Sequence, residues 1–77
     1  MAQGLFWDDY VRLALSYAVF ERNEDGTWTV EVPALPECIT WGETRWEAAR
    51  MIEDAVKGWL LTALHFGDPI PEIDGLK

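Results

Sequence analysis

The 77-residue sequence contains one cysteine, Cys38, and one histidine, His65. A single thiol closes no intrachain disulfide, so sulfur does not staple the fold and a reducing compartment is expected. One histidine far from one cysteine makes no ligand cluster. The expectation is therefore no metal site and no cofactor. Basic residues are also scarce, with six Lys and Arg against 14 Asp and Glu, a net charge of −8. A protein that grips nucleic acid through its phosphates needs the opposite balance. No stretch approaches the roughly 18 consecutive apolar residues of a membrane span. The start, Met1 to Asp9, lacks the basic region and long apolar run of a secretion signal. The expectation is a cytoplasmic protein with no membrane contact. There is no internal repeat and no low-complexity run.

What is present is the composition of a folded domain, 49% hydrophobic and 13% aromatic. The length allows one domain, residues 1–77, with an N-terminal helical segment (1–15), a core (16–66) and a Pro-containing tail (67–77). So small a chain buries a modest share of its surface. Without disulfide or metal, association with further copies is the remaining staple. The five tryptophans, Trp7, Trp28, Trp41, Trp46 and Trp59, are more than a small core absorbs, and aromatics are enriched at interfaces. A homo-oligomer, dimer or tetramer, is expected.

Along the chain, Phe6, Tyr10 and Leu13 recur at helical spacing, predicting a short helix over 5–15. Asp8 and Asp9 would then sit in its first turn, where the helix dipole favours acids. Ser16 to Arg22 is rich in aromatic and β-branched residues and reads as a strand. Asn23-Glu24-Asp25-Gly26 is a hairpin turn. Thr27 to Val32 alternates, with Trp28, Val30 and Val32 on one side and Thr27, Thr29 and Glu31 on the other, the pattern of a half-buried strand. Pro33 to Pro36 is a bent connection. Glu37 to Trp41 reads as a third strand ending at Gly42, and both Cys38 and Ile39 suit an interior.

The strongest signal is a long helix. Thr44 to Glu47 forms a capping box. Ala48, Ile52, Ala55/Val56, Trp59, Ala63 and Phe66 make one apolar stripe. Glu47, Arg50, Asp54 and Lys57 occupy the opposite face, with Glu53 set to pair with Lys57. Gly67 and Asp68-Pro69 stop the helix. Gly58, in mid-helix, is either tolerated or marks close approach of another backbone. The sum is an α+β fold, a three-stranded antiparallel sheet with one long helix packed on a face and a short N-terminal helix.

The run from Asp25 through Val32-Pro33-Ala34-Leu35-Pro36-Glu37-Cys38-Ile39-Thr40-Trp41-Gly42-Glu43-Thr44 resembles the core pattern of HicB-like antitoxins, D-G-x-[YW]-x-[AV]-x-[VF]-P-[DE]-L-P-G-C-x-T-x-G-[DE]-T. The similarity continues through Glu47-Ala48, Ala55, Trp59 and Leu60 to Gly67-Asp68-Pro69-Ile70-Pro71. Glu37 stands where the family has Gly, and if that Gly serves a positive φ, Glu37 is strained or the loop differs. Trp41 and Trp46 occupy positions where the family has smaller or polar residues.

The resemblance implies a partial ribonuclease H-like fold and a binding role. The expected partner is a small basic HicA-like toxin, an RNA-cleaving protein with a catalytic histidine, neutralised by covering its active and RNA-binding face. Many members add a C-terminal DNA-binding domain. With the sequence ending at Lys77, no direct nucleic-acid binding by this chain alone is expected. Physics agrees on charge, because an acidic protein competes with RNA for a basic surface and is steered to it.

No catalytic residue is expected. Ribonuclease H chemistry needs carboxylates gathered on divalent metal ions, and Glu31, Glu53 and Asp54 show no gathering spacing. His65 has no nucleophile arranged with it. Cys38 reads as a small buried hydrophobe. Trp28 and Trp59 fall on faces expected to be buried. The candidate partner or oligomer interface comprises Trp7, Trp41, Trp46, Glu47 and Asp54. Two rival functions are an orphan homo-oligomeric domain acting as scaffold or small-ligand binder, and a metal-dependent nuclease.

Overall fold

A computed structural model describes residues 2–73, with side chains from residue 8 onward. The elements run α1 (Ala2–Ser16), β1 (Val19–Arg22), β2 (Trp28–Glu31), β3 (Ile39–Gly42) and α2 (Arg45–Phe66). The three strands form one antiparallel sheet in the order β1-β2-β3. Helix α2 packs on one face of that sheet against β2 and β3, and α1 packs against α2. This is the expected α+β architecture.

Helix α1 starts a turn earlier than the spacing predicts, which moves Asp8 and Asp9 out of its first turn. Its buried stripe is Tyr10, Val11 and Ala14, with Leu13 only partly buried. The helix ends by spending the amides of the next residues. Tyr17 and Ala18 donate to the carbonyls of Ala14 and Leu15 at 3.1 Å each, and the Ser16 hydroxyl donates to Leu13 at 2.6 Å. Those groups are lost to the sheet, so β1 begins at Val19 and not at Ser16.

The hairpin closes as its residues dictate. The amide of Asn23 donates to Thr27 O at 2.8 Å, and Gly26 takes φ 89°. The Asp25 carboxylate accepts from the Thr27 hydroxyl at 2.6 Å and amide at 2.9 Å. The alternation in β2 holds. Val30 and Val32 are buried, and Trp28 is partly buried against the core.

Between β2 and β3 the chain makes a tight bend. The amide of Val32 donates to Cys38 O at 3.0 Å, closing the bend, and Leu35 turns inward to become 1% exposed. Glu37 takes φ 63°, the left-handed region that the sequence pattern reserves for glycine. Strand β3 begins after this bend, at Ile39. The choice between Cys38 and Ile39 is settled here, since Cys38 is buried and Ile39 is 55% exposed.

Thr44 caps α2. Its side chain accepts from the amide of Glu47 at 3.0 Å. Glu47 reaches back, though to the amide of Glu43 at 2.6 Å and not to that of Thr44. Gly67, at φ 70°, ends the helix, and the amides of Gly67 and Asp68 donate to Leu64 at 3.3 Å and Ala63 at 2.8 Å, a Schellman stop. The buried stripe is Ala48, Ile52, Val56, Leu60 and Ala63. Against the expected set, Leu60 joins the stripe, Trp59 is only partly buried and Phe66 falls outside it. Phe66 is 71% exposed because the helix outruns the sheet: 22 residues extend about 33 Å, against strands of four residues.

Two glycines contrast. A Cβ on Gly42 would lie 2.5 Å from the Ala48 nitrogen, so β3 and the first turn of α2 are in backbone contact there. A Cβ on Gly58 would meet nothing within 4 Å. Among the described residues no second backbone approaches Gly58, and the close-approach reading is not supported.

The segment after α2 folds back. The Tyr10 hydroxyl donates to the carbonyl of Pro71, and Ile73 is buried in the core. The Trp59 indole donates to Pro36 O at 2.9 Å, fixing the bend to α2. Residues 74–77 of the expected tail lie outside the described residues.

Candidate partner-binding surfaces

The sheet has one covered face and one open face. Pleating sends Phe20, Trp28, Val30 and Thr40 toward α2, and Val19, Glu21, Thr29, Glu31, Ile39 and Trp41 to the other side. The strand register aligns them in two rows across the open face, Val19–Glu31–Ile39 and Glu21–Thr29–Trp41. Val19, Ile39 and Trp41 are each more than half exposed. None of the six residues is basic, and two are glutamates.

Depressions flank this face at both ends. A cleft of about 430 Å³ is lined by Tyr17, Val19, Pro33, Ala34, Glu72 and Ile73. A smaller hollow of about 250 Å³ lies between the hairpin and Trp41, lined by Asn23, Asp25, Thr27 and Thr29. The Thr27 hydroxyl and amide hold the Asp25 carboxyl below the usual carboxylate range, so that corner stays charged. Asn23 Nδ2 donates to the hydroxyls of Thr27 at 3.0 Å and Thr29 at 2.9 Å, which fixes the shape of the hollow.

A second exposed surface is the outer side of α2. Trp46 is 69% exposed, and the Arg50 guanidinium lies 4.9 Å from its ring centroid. Glu47 and Asp54 are exposed. Lys57 pairs with Glu53 at 3.1 Å, as the spacing predicts. Leu61 and Leu64 continue the strip toward the C-terminal end and are more than half exposed. Sequence reasoning missed both, because an exposed leucine carries no signal until the buried stripe is known.

The expected interface residues therefore divide. Trp41 belongs to the open sheet face, whereas Trp46, Glu47 and Asp54 belong to α2, on the other side of the sheet. The Trp7 side chain lies outside the described residues. Trp28 and Trp59 pack partly buried against the core.

The other candidates have structural surroundings. Cys38 is buried, and burial pushes its thiol above its ordinary value. His65 is exposed in the last turn of α2, edge-on to Phe66 with ring centroids 4.9 Å apart. Among the described residues no three His, Cys, Asp or Glu side chains converge in a group that could hold a metal ion. No described helix is long and apolar enough to cross a membrane.

With this geometry in hand, comparison with known proteins is informative. A sequence model of the UPF0150-like family matches residues 9–71, most of the chain. The chain belongs to the UPF0150-like family. The match takes in the buried half of α1, which lies outside the pattern beginning at Asp25. A UPF0150 protein of Thermoplasma acidophilum is 36% identical over 53 residues, covering 69% of this chain and 77% of that protein. Two Photorhabdus laumondii proteins, antitoxins HicB 2 and HicB 1, are 47% identical over 47 residues and 37% identical over 67 residues. The alignments cover 61% and 86% of this chain but only 30% and 41% of those antitoxins, so it spans less than half of either. The crystal structure of TTHA0281 from Thermus thermophilus superposes with a TM-score of 0.86 at 25% identity, covering 92% of this chain and 89% of the other. The UPF0150-like domain is thus homologous to HicB antitoxins in sequence.

Proposed function

We propose that this UPF0150-like chain is an antitoxin-type binding protein, not an enzyme, that neutralises a small basic HicA-like toxin by covering its RNA-contacting surface. The observation that carries this reading is the open sheet face. It has an apolar centre of Val19, Ile39 and Trp41, glutamates at positions 21 and 31, and no cation among its six outward residues. A toxin that holds RNA phosphates presents a basic surface. Glutamates facing that surface mimic the phosphates and speed encounter, while the apolar centre supplies desolvated contact. The homology to HicB antitoxins supports the same role. The chain's net charge of −8 favours steering toward such a partner in the cytoplasm.

The test is co-expression with any small basic open reading frame found beside this gene, read by growth and by co-purification. The expected result is a growth-arresting neighbour that this chain silences in a stable complex. Glu21→Lys with Glu31→Lys is expected to weaken that complex at least tenfold while the circular dichroism spectrum is kept. A neighbour that is neither toxic nor bound removes the antitoxin reading and leaves an orphan domain acting as scaffold or small-ligand binder.

A further inference from the structure

The cleft beside Val19, at one end of the open sheet face, is built from rigid parts. Pro71 and Ile73 are both fastened, the first through its carbonyl to the Tyr10 hydroxyl and the second by burial in the core. Glu72 lies between them, exposed, and lines the cleft. Its backbone is thus held on both sides, and its carboxylate is presented with little freedom to lose. Pro33 and Ala34 supply a second wall, in the bend whose flanking residues Val32 and Leu35 are each 1% exposed. Tyr17 and Val19 complete the lining. The volume of about 430 Å³ falls within the range of ligand pockets.

Charge and surface chemistry select the occupant. The lining holds one acid and no base. Among the described residues no ion pair or hydrogen bond engages the Glu72 carboxylate. Glu31 pairs with Val19 across the β1–β2 ladder, which sets a second carboxylate next to the rim. The rest of the lining is an aromatic ring and aliphatic surface. A flat, weakly hydrated cation suits that combination, because it stacks on a ring and forks onto a carboxylate. The guanidinium of arginine is such a cation, and the lysine ammonium is not. The hollow at the other end of the face has a different character. Its acid, Asp25, is already engaged by the Thr27 hydroxyl and amide, and its Asn23 by the two threonine hydroxyls.

We propose that the cleft between Tyr17, Val19, Pro33 and Glu72 captures an arginine side chain of a basic partner protein and anchors that protein at one end of the open sheet face. The identity of the partner as a toxin rests on the function proposed above, whereas the capture is a property of this chain alone.

The experiment is a titration of the isotope-labelled, purified chain with the capped tripeptide Gly-Arg-Gly, read by amide chemical shifts. Counterparts carrying lysine and uncharged citrulline are titrated alongside. The arginine peptide is expected to move the amides of Tyr17, Val19, Ala34 and Glu72 saturably, in the millimolar range. The lysine peptide is expected to bind more weakly, and the citrulline peptide to leave those amides in place. Glu72→Gln is expected to weaken arginine binding by about fivefold. Asp68→Asn, at the separate cleft beside Trp59, is expected to leave it unaltered. With a toxic neighbour in hand, Glu72→Lys is expected to weaken the complex by about tenfold. A peptide that shifts none of the cleft amides overturns the proposal, as does one that moves those around Trp59 instead, or one that binds equally as lysine or citrulline. A toxin complex indifferent to Glu72→Lys also overturns it, and leaves the antitoxin reading standing. Arginine binding in the cleft, beside a neighbour that is neither toxic nor bound, upholds the capture and removes only the antitoxin reading.

Discussion

Glu37 is the residue at which this chain departs most clearly from the HicB-like pattern, and the departure is costly. A left-handed conformation brings a Cβ too near the following carbonyl, at roughly 1–2 kcal/mol for a non-glycine residue. Glu37 sits there, at φ 63°, because the bend must return Cys38 O to the Val32 amide and carry Leu35 into the core. Replacing Glu37 with Gly removes that strain, and the extra freedom of glycine in the unfolded chain offsets part of the gain. Glu37→Gly is expected to stabilise the fold by about 0.5–1 kcal/mol, raising the thermal midpoint by about 4 °C. Calorimetry measures this, and an unchanged or lower midpoint would show that the bend tolerates the glutamate without strain. The positive φ was legible beforehand from the family pattern, because a glycine reserved in a bend between two strands has few other uses.

At the scale of elements, α2 was the most legible part of the sequence. Thr44, Glu47 and Gly67 mark its ends by chemistry that acts over three or four residues, and local signals of that kind survive folding unchanged. The membership of its buried stripe was less legible. Phe66 continues the apolar period, but the period states only which side a residue points to. Whether anything lies on that side depends on how far the sheet extends, which no helical pattern contains. The β3 pleat was hidden for a related reason. Cys38 and Ile39 are both apolar, so alternation could not choose between them, and the side taken by Trp41 followed only once the register was known. Helix and sheet meet at Gly42, where nothing larger fits. Gly42→Ala forces a methyl group against the Ala48 backbone and is expected to cost about 3 kcal/mol. Gly58→Ala adds the same methyl group in open space and is expected to raise stability by about 1 kcal/mol. Urea denaturation of the two variants gives opposite signs if the α2 contact with β3 is as tight as described.

For the whole molecule, the division of charge organises the surface. The open sheet face carries Glu21 and Glu31 and no base, whereas helix α2 carries three acids and three bases, so the two exposed surfaces differ in chemistry. Composition alone showed the excess but not its partition, which depends on the strand register and the helix phase. The interior adds a pH dependence of its own. Burial pushes the ionisation of both the Cys38 thiol and the Tyr10 hydroxyl to higher pH than usual. The folded chain therefore keeps protons that the unfolded chain releases, near pH 8.5 for a cysteine and near about pH 10 for a tyrosine. The stability these groups contribute is complete below those values and is lost as pH rises through the raised ones. The urea midpoint is expected to be level between about pH 7 and 8 and to fall at higher pH. Cys38→Ala is expected to delay the start of that fall, and a midpoint that declines identically in wild type and variant would assign it to other groups.

The hydrogen bond from Tyr10 to Pro71 joins positions 61 residues apart, while the strands and α2 each meet their neighbours in sequence. Closing the longest loop carries the largest entropic cost and comes late. During synthesis the ribosome exposes α1 first, yet Tyr10 has no acceptor until residue 71 has emerged. Within this domain the first helix made is thus the last to be fastened, and its apolar stripe of Tyr10, Val11 and Ala14 waits in water, open to chaperones, until the residues that cover it have emerged.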